Sequence, residues 1–196
     1  MSGDLEEAQY FYGPKGRTVF FMPFLAGPEL KDWNSEVPTF LQRVEKTGDD
    51  RSYTILSATM IEYHIDRILS LIMPDFEIPT FALKLRYLRS LKLIPEHLLT
   101  NAETINAIRN KFAHDMKLDS FDGLDQGTQK KLRKAHQDMF RPDARVAFPL
   151  KFVFTQTFQL TFIGIRLYEP NVRLLVEAIH SEKFHEELRQ TARVLF

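Results

Sequence analysis

Apolar residues recur at every third or fourth position from Arg51 to Met73, among them Tyr53, Leu56, Met60, Ile65, Ile68 and Ile72, and Pro74 interrupts the run. That spacing lines one side of a 3.6-residue helix, so a long helix ending at the proline is predicted. After a turn over Pro74 to Pro79 the pattern resumes from Thr80 to Leu91. There Phe81, Leu85, Leu88 and Leu91 share one face, while Lys84, Arg86, Arg89 and Lys92 take other positions. A second helix, basic on its polar side, follows from it. Thr100 with Glu103 has the spacing of a capping box, in which hydroxyl and carboxylate satisfy the free amides of a helix start. A third helix is therefore expected from about Asn101 to His114.

Toward the C-terminus, Lys117 to Thr128 carries glycines and carboxylates and reads as an acidic loop, and Lys130 to His136 as a short basic helix. Phe148 to Tyr168 is rich in Phe and Thr, which local propensity admits as strand, but its length favours a helix packed into the core. Pro170 is placed to open a last helix through Leu174, Leu175, Ala178 and Ile179. Upstream, Thr18 to Leu25 is a short apolar run closed by Ala26, Gly27 and Pro28 and suits a strand or extended arm. Pro38 to Lys46 suits a short helix with Phe40, Leu41 and Val44 on one side. The expected architecture is all-α: residues 51–196 form a helical domain on which residues 1–50 dock as an extension. No internal repeat or low-complexity tract appears.

Composition narrows the chemistry. The 196 residues are 44% hydrophobic and 27% charged, with 17 Phe, as in a globular chain with an ordinary core. The 26 basic and 26 acidic residues cancel, so any contact with nucleic acid must come from a local patch. Without cysteine there is no disulfide, thiolate metal site or Cys nucleophile. The acidic start Met1 to Glu7 is unlike a secretory signal. Phe148 to Leu167 is broken by Lys151, Gln156, Gln159 and Arg166, too polar for the roughly 20 apolar residues of a membrane span. A cytoplasmic protein, free of the membrane, is expected.

Several weak motifs fall away. Asp119, Asp122 and Asp125 suggest a calcium loop, but the twelfth position from Asp119 is Lys130 where such a loop needs Glu. His180 and His185 lack the four-residue spacing that puts two imidazoles on one helix face. Gly13-Pro14-Lys15-Gly16 lacks the spacing of a phosphate loop and reads as a turn. No metal or cofactor is expected.

The stretch Ile108-Arg109-Asn110-Lys111-Phe112-Ala113-His114-Asp115 carries more. Ile105, Ile108 and Phe112 share the apolar face, and the negative end of the helix dipole suits His114. Asn110 and His114, four apart, share another face with Arg109 at its edge. An imidazole that exchanges protons near neutral pH and a guanidinium that forks onto a phosphate fit work on a phosphodiester.

The sequence Arg109-Asn110-x-x-Ala113-His114 at a helix end resembles the signature of the HEPN superfamily, an Arg, a polar residue and a His a few positions on. Upstream, Phe81-x-x-Lys84-Leu85-x-Tyr87-Leu88-x-x-Leu91-x-Leu93-Ile94-Pro95 is similar to the branch that includes the mannitol operon repressor family. The likeness covers roughly Arg51 to Asp115.

The resemblance implies a helical bundle that forms a homodimer, bringing two copies of Arg109 and His114 into one cleft. Many members are metal-independent ribonucleases of the toxin, stress or phage-defence kind. By that analogy His114 acts on the ribose 2′-hydroxyl, Arg109 stabilises charge on the phosphate and Asn110 fixes the pair or the phosphate. From the residues themselves, Glu62 on the first helix is expected to pair with Arg109, a surface carboxylate being the alternative, and Lys130, Lys131, Arg133 and Lys134 are expected to form a local patch for RNA phosphates, a solvated helix face being the alternative. An antitoxin or regulatory protein is the expected protein partner. The alternative is a non-catalytic dimeric module that regulates transcription or binds a protein through the same helices.

Overall fold

The computed structural model describes residues 46, 48–140, 148–181 and 185–186. The arm expected over Thr18 to Leu25, the short helix over Pro38 to Lys46 and the Gly13 to Gly16 turn lie outside the described residues, apart from Lys46 itself. Within them the chain is all-α. Five helices follow in order: α1 Asp50–Ile72, α2 Phe81–Leu91, α3 Glu96–His114, α4 Gln126–Phe140 and α5 Leu150–Ile179, with a 3-10 turn at Phe121–Gly123. No helix among the described residues is long and apolar enough to cross a membrane.

Local chemistry explains most of the boundaries. Asp49 Oδ1 accepts the Ser52 amide at 2.7 Å at the start of α1, and Thr80 Oγ1 accepts the Leu83 amide at 3.3 Å to cap α2. α2 closes on Lys92, whose φ of 54° is left-handed and whose amide turns back to Arg89 O. α4 opens on Asp125, which accepts the Thr128 amide at 3.0 Å and its hydroxyl at 2.8 Å.

Three expectations are corrected. The capping box at Thr100 and Glu103 does not form, because α3 begins earlier, at Glu96 directly after Pro95. Thr100 instead donates to Glu96 Oε1 at 3.2 Å from inside the helix. The short helix at Lys130 to His136 runs longer, from Gln126 to Phe140, since Asp125 provides its cap within the stretch read as loop. Pro170 does not start a helix but lies inside α5. A proline there removes one ladder hydrogen bond, at a cost of about 3 kcal/mol in an isolated helix. Burial on both sides carries α5 across it, because Glu169 and Val172 are both buried.

The chain divides into two compact units. One takes in Ile108–Thr157 with α1 up to Ser57, and its core is aromatic. Phe121 stands 5.4 Å from Phe112 and 4.8 Å from Phe154, whose ring meets Tyr53 at 5.8 Å. The Tyr53 hydroxyl donates to Thr155 Oγ1 at 3.0 Å, so its polar end is satisfied while the ring is buried.

The other unit takes in Ala58–Ala107 and the chain from Phe158 onward. Ile61, Ile65, Ile68, Leu85, Leu88, Leu99, Ile105, Phe158 and Phe162 are buried there. Leu98 lies so close to Gly164 that a Cβ at that position would come within 2.7 Å of it. This unit also buries a charge. Glu169 faces His64 at 3.4 Å and Arg67 at 2.5 Å, with Arg173 at 3.7 Å. Burial alone would raise the Glu169 carboxyl, but the His64 hydrogen bond and the Arg67 charge outweigh it and hold the group below its ordinary value.

Candidate functional site at the end of helix α3

The last turns of α3 and the chain after them lie in the first unit. Ile108 and Phe112 are fully buried, which puts Asn110, half-buried, and His114, exposed, on the opposite side of the helix. Asn110, Lys111, His114 and Asp115 form one wall of a cleft of about 470 Å³; Leu118 and Gly123 to Asp125 form the rest. His114 is exposed, and its side chain has no hydrogen bond or ion pair among the described residues. Arg109 is half-buried beside this wall and donates from Nη1 to Asn110 Oδ1 at 2.9 Å. Asn110 and His114 thus share the cleft wall, whereas Arg109 does not line the cleft and is linked to it by its hydrogen bond to Asn110.

The charges in the cleft are mixed. Lys111 Nζ meets Asp125 Oδ2 at 2.7 Å. Together with the Thr128 hydrogen bonds, that ammonium holds the Asp125 carboxyl well below the usual carboxylate range. Asp115 is exposed and accepts the Lys117 amide at 2.9 Å in the turn that follows α3. Met116, 84% exposed, projects from the same turn.

What holds this helix end is Arg51, in the first turn of α1. Its guanidinium donates to the carbonyls of Phe112 at 2.6 Å, Asp115 at 2.9 Å and Leu118 at 2.8 Å. The terminal carbonyls of a helix lack partners and carry its negative end, so a forked cation meets both needs. The dipole expectation attached to His114 is thus met by Arg51. Its neighbour Asp50 accepts the Phe121 amide at 3.0 Å and pairs with Lys151 at 2.8 Å, fixing the 3-10 turn. Sequence reasoning missed Arg51, since nothing local marks a residue whose three acceptors lie more than 60 positions away.

The other sequence candidates separate. Lys130, Lys131 and Lys134 are exposed on α4 with no partner among the described residues. Arg133 is half-buried and donates to Phe148 O at 3.0 Å, so its charge is committed to the backbone. Glu62, expected beside Arg109, is ion-paired in the second unit with Lys84 at 2.8 Å, and Lys84 also meets Asp66 at 2.8 Å. Burial alone would lower the Lys84 ammonium, but the hydrogen bonds to Asp66 and Glu62 raise it above its ordinary value. Among the described residues no group of three or more His, Cys, Asp or Glu side chains could hold a metal ion.

No family model matches the chain. No curated protein matches it either. Among solved structures, a chain in the X-ray structure of the MtlR–HPr complex from Escherichia coli is similar at a TM-score of 0.47 and 12% identity. The match covers 70% of this chain and 98% of that one.

Proposed function

We propose that the chain is a HEPN-type endoribonuclease that works without a metal, acting as a cytoplasmic homodimer. The observation that carries the reading is His114: exposed, unpartnered among the described residues, and on a cleft wall with Asn110, to which Arg109 is tethered. The structural role open to a histidine at a helix end, meeting the terminal carbonyls, is filled here by Arg51. His114 is presented to whatever enters the cleft.

RNA carries its own nucleophile, so the protein need only move protons and stabilise charge. His114 takes the proton from the 2′-hydroxyl as its oxygen attacks the adjacent phosphorus. The bond from phosphorus to the 5′ oxygen breaks, that oxygen takes a proton from water, and the products are a 2′,3′-cyclic phosphate and a 5′-hydroxyl. Arg109 offsets the charge gathering on the non-bridging oxygens, and Asn110 keeps the guanidinium in reach. Lys111 neutralises Asp125 in the cleft. A second copy of the chain would add a second Arg109 and His114.

A specific observation favours the other reading, a non-catalytic regulator that docks a protein. Asp115 lies on the cleft wall with exposed Met116 next to it, an acidic and apolar pairing that suits a protein surface better than a phosphodiester.

The two readings separate on cleavage of labelled tRNA and mRNA in EDTA by the full chain and by His114→Ala, with the RNA ends analysed. Cyclic-phosphate ends from the parent alone are the expected result, with the variant's stability within about 0.5 kcal/mol because the side chain is exposed. A folded parent that leaves every RNA intact would overturn the ribonuclease reading in favour of the regulator.

A further inference from the structure

Among the described residues that line the cleft, Lys111 alone carries a fixed positive charge. It stands on the same wall as His114, three positions earlier on α3. Residues three apart on a helix are neighbours, about 5–6 Å apart at Cβ, so an anion within reach of the imidazole is also within reach of this ammonium. Arg109, by contrast, does not line the cleft and is tied to Asn110.

In the free protein the ammonium is taken. Lys111 Nζ lies 2.7 Å from Asp125 Oδ2, a bond that runs from the α3 wall to the residue opening α4. The two ends are held unequally. Asp125 is fixed by the Thr128 amide at 3.0 Å and the Thr128 hydroxyl at 2.8 Å, and the positive end of α4 favours its charge. Gly127 leaves room for it, since a Cβ at that position would come within 3.1 Å of Asp125 Oδ1. Asp125 is therefore satisfied without Lys111. The two side chains are 45% and 55% exposed, and a solvated ion pair of that kind costs little to open.

We propose that Lys111 is a second phosphate-binding residue of the cleft, and that Asp125 holds it in reserve as an autoinhibitory contact that the substrate displaces. The inference rests on the ribonuclease reading and deepens it by assigning how that site is regulated. The phosphodiester beside His114 takes Lys111 from Asp125, so one ion pair is exchanged for another and their difference sets the affinity. A compact ammonium on a flexible stem can make that exchange. A neutral ligand offers Lys111 nothing and leaves the pair closed.

The test is equilibrium binding of a fluorescent single-stranded oligouridylate to the full-chain His114→Ala protein, with Lys111→Ala, Asp125→Asn or both added to it. Asn caps a helix about as well as Asp does, so α4 keeps its start and loses the charge alone. Lys111→Ala should weaken binding by about 2- to 5-fold, the range of a partly exposed charge pair, and lower the salt dependence by about one ion. Asp125→Asn should tighten binding by a similar factor. With Lys111→Ala already present the same change should do nothing, because no ammonium is left to release. That coupling is what a double-mutant cycle reads. Loss of folding lowers affinity and cannot produce the gain.

Unchanged or weaker binding in Asp125→Asn would overturn the proposal, as would no binding of the probe by any variant. An equal gain with and without Lys111 would overturn it too, since that is plain relief of repulsion between a carboxylate and RNA. The two readings fail separately. Coupled binding, from a parent that cuts nothing, removes the nuclease and leaves the latch. Cyclic-phosphate ends from a parent whose affinity Asp125→Asn does not raise remove the latch and leave the nuclease.

Discussion

Replacing Arg51 with alanine removes one side chain and orphans three carbonyls. Those of Phe112 and Leu118 are part-buried, and that of Asp115 is exposed. A hydrogen bond from a charged donor contributes about 1.5–3 kcal/mol, most where water cannot substitute, and the exposed Asp115 carbonyl will be rehydrated at little cost. The two part-buried acceptors and the cation at the helix terminus together point to a loss of about 3 kcal/mol. In a chain of this size that lowers the melting temperature by roughly 6–12 °C. Lysine at the same position keeps the charge but not the planar fork, so Arg51→Lys should recover only about a third of the loss. Urea unfolding of parent and both variants gives the magnitude. Hydrogen exchange shows whether protection falls first around residues 112–121, the segment that Arg51 and Asp50 tie down. A loss below about 1 kcal/mol in Arg51→Ala, or exchange that rises evenly over the chain, would refute the clamp and reduce these bonds to contacts that water replaces.

Three further outcomes follow from other sites. Glu169→Ala should cost about 2–3 kcal/mol at neutral pH, because His64 stays buried without its partner. Since the folded Glu169 carboxyl lies below its ordinary value of 4.5, its contribution is complete above that pH and is lost as the pH falls through the lower folded value, so acid titration of parent and variant should converge there. Gly164→Ala should destabilise by about 1–2 kcal/mol as the new methyl meets Leu98, and in a Leu98→Ala background the same change should turn neutral or favourable, as helix propensity then decides. Ser57 Oγ is buried with no hydrogen-bond partner among the described residues, so Ser57→Ala should raise stability by up to about 1 kcal/mol in a thermal melt.

What the sequence determined by itself is whatever depends on near neighbours. The run from Tyr53 to Ile72 predicts a helix because apolar spacing and a terminating proline act within a few residues, and α1 spans Asp50–Ile72. The placing of Asn110 and His114 on the face away from the core follows equally from the core positions Ile105, Ile108 and Phe112 on the opposite side of the helix. Tertiary structure decided wherever long-range contacts outweighed a local rule. Pro170 reads as a helix start, yet α5 continues through it because Glu169 is held by His64 and Arg67, over 100 residues away in sequence. Four basic residues read as one patch on α4, but Arg133 is spent on the Phe148 carbonyl while the three lysines remain free among the described residues. Arg51 at a presumed domain edge proved to be the clamp on the helix that carries His114. A guanidinium meets three carbonyls only once distant turns have been brought together, and no spacing along the chain encodes that encounter.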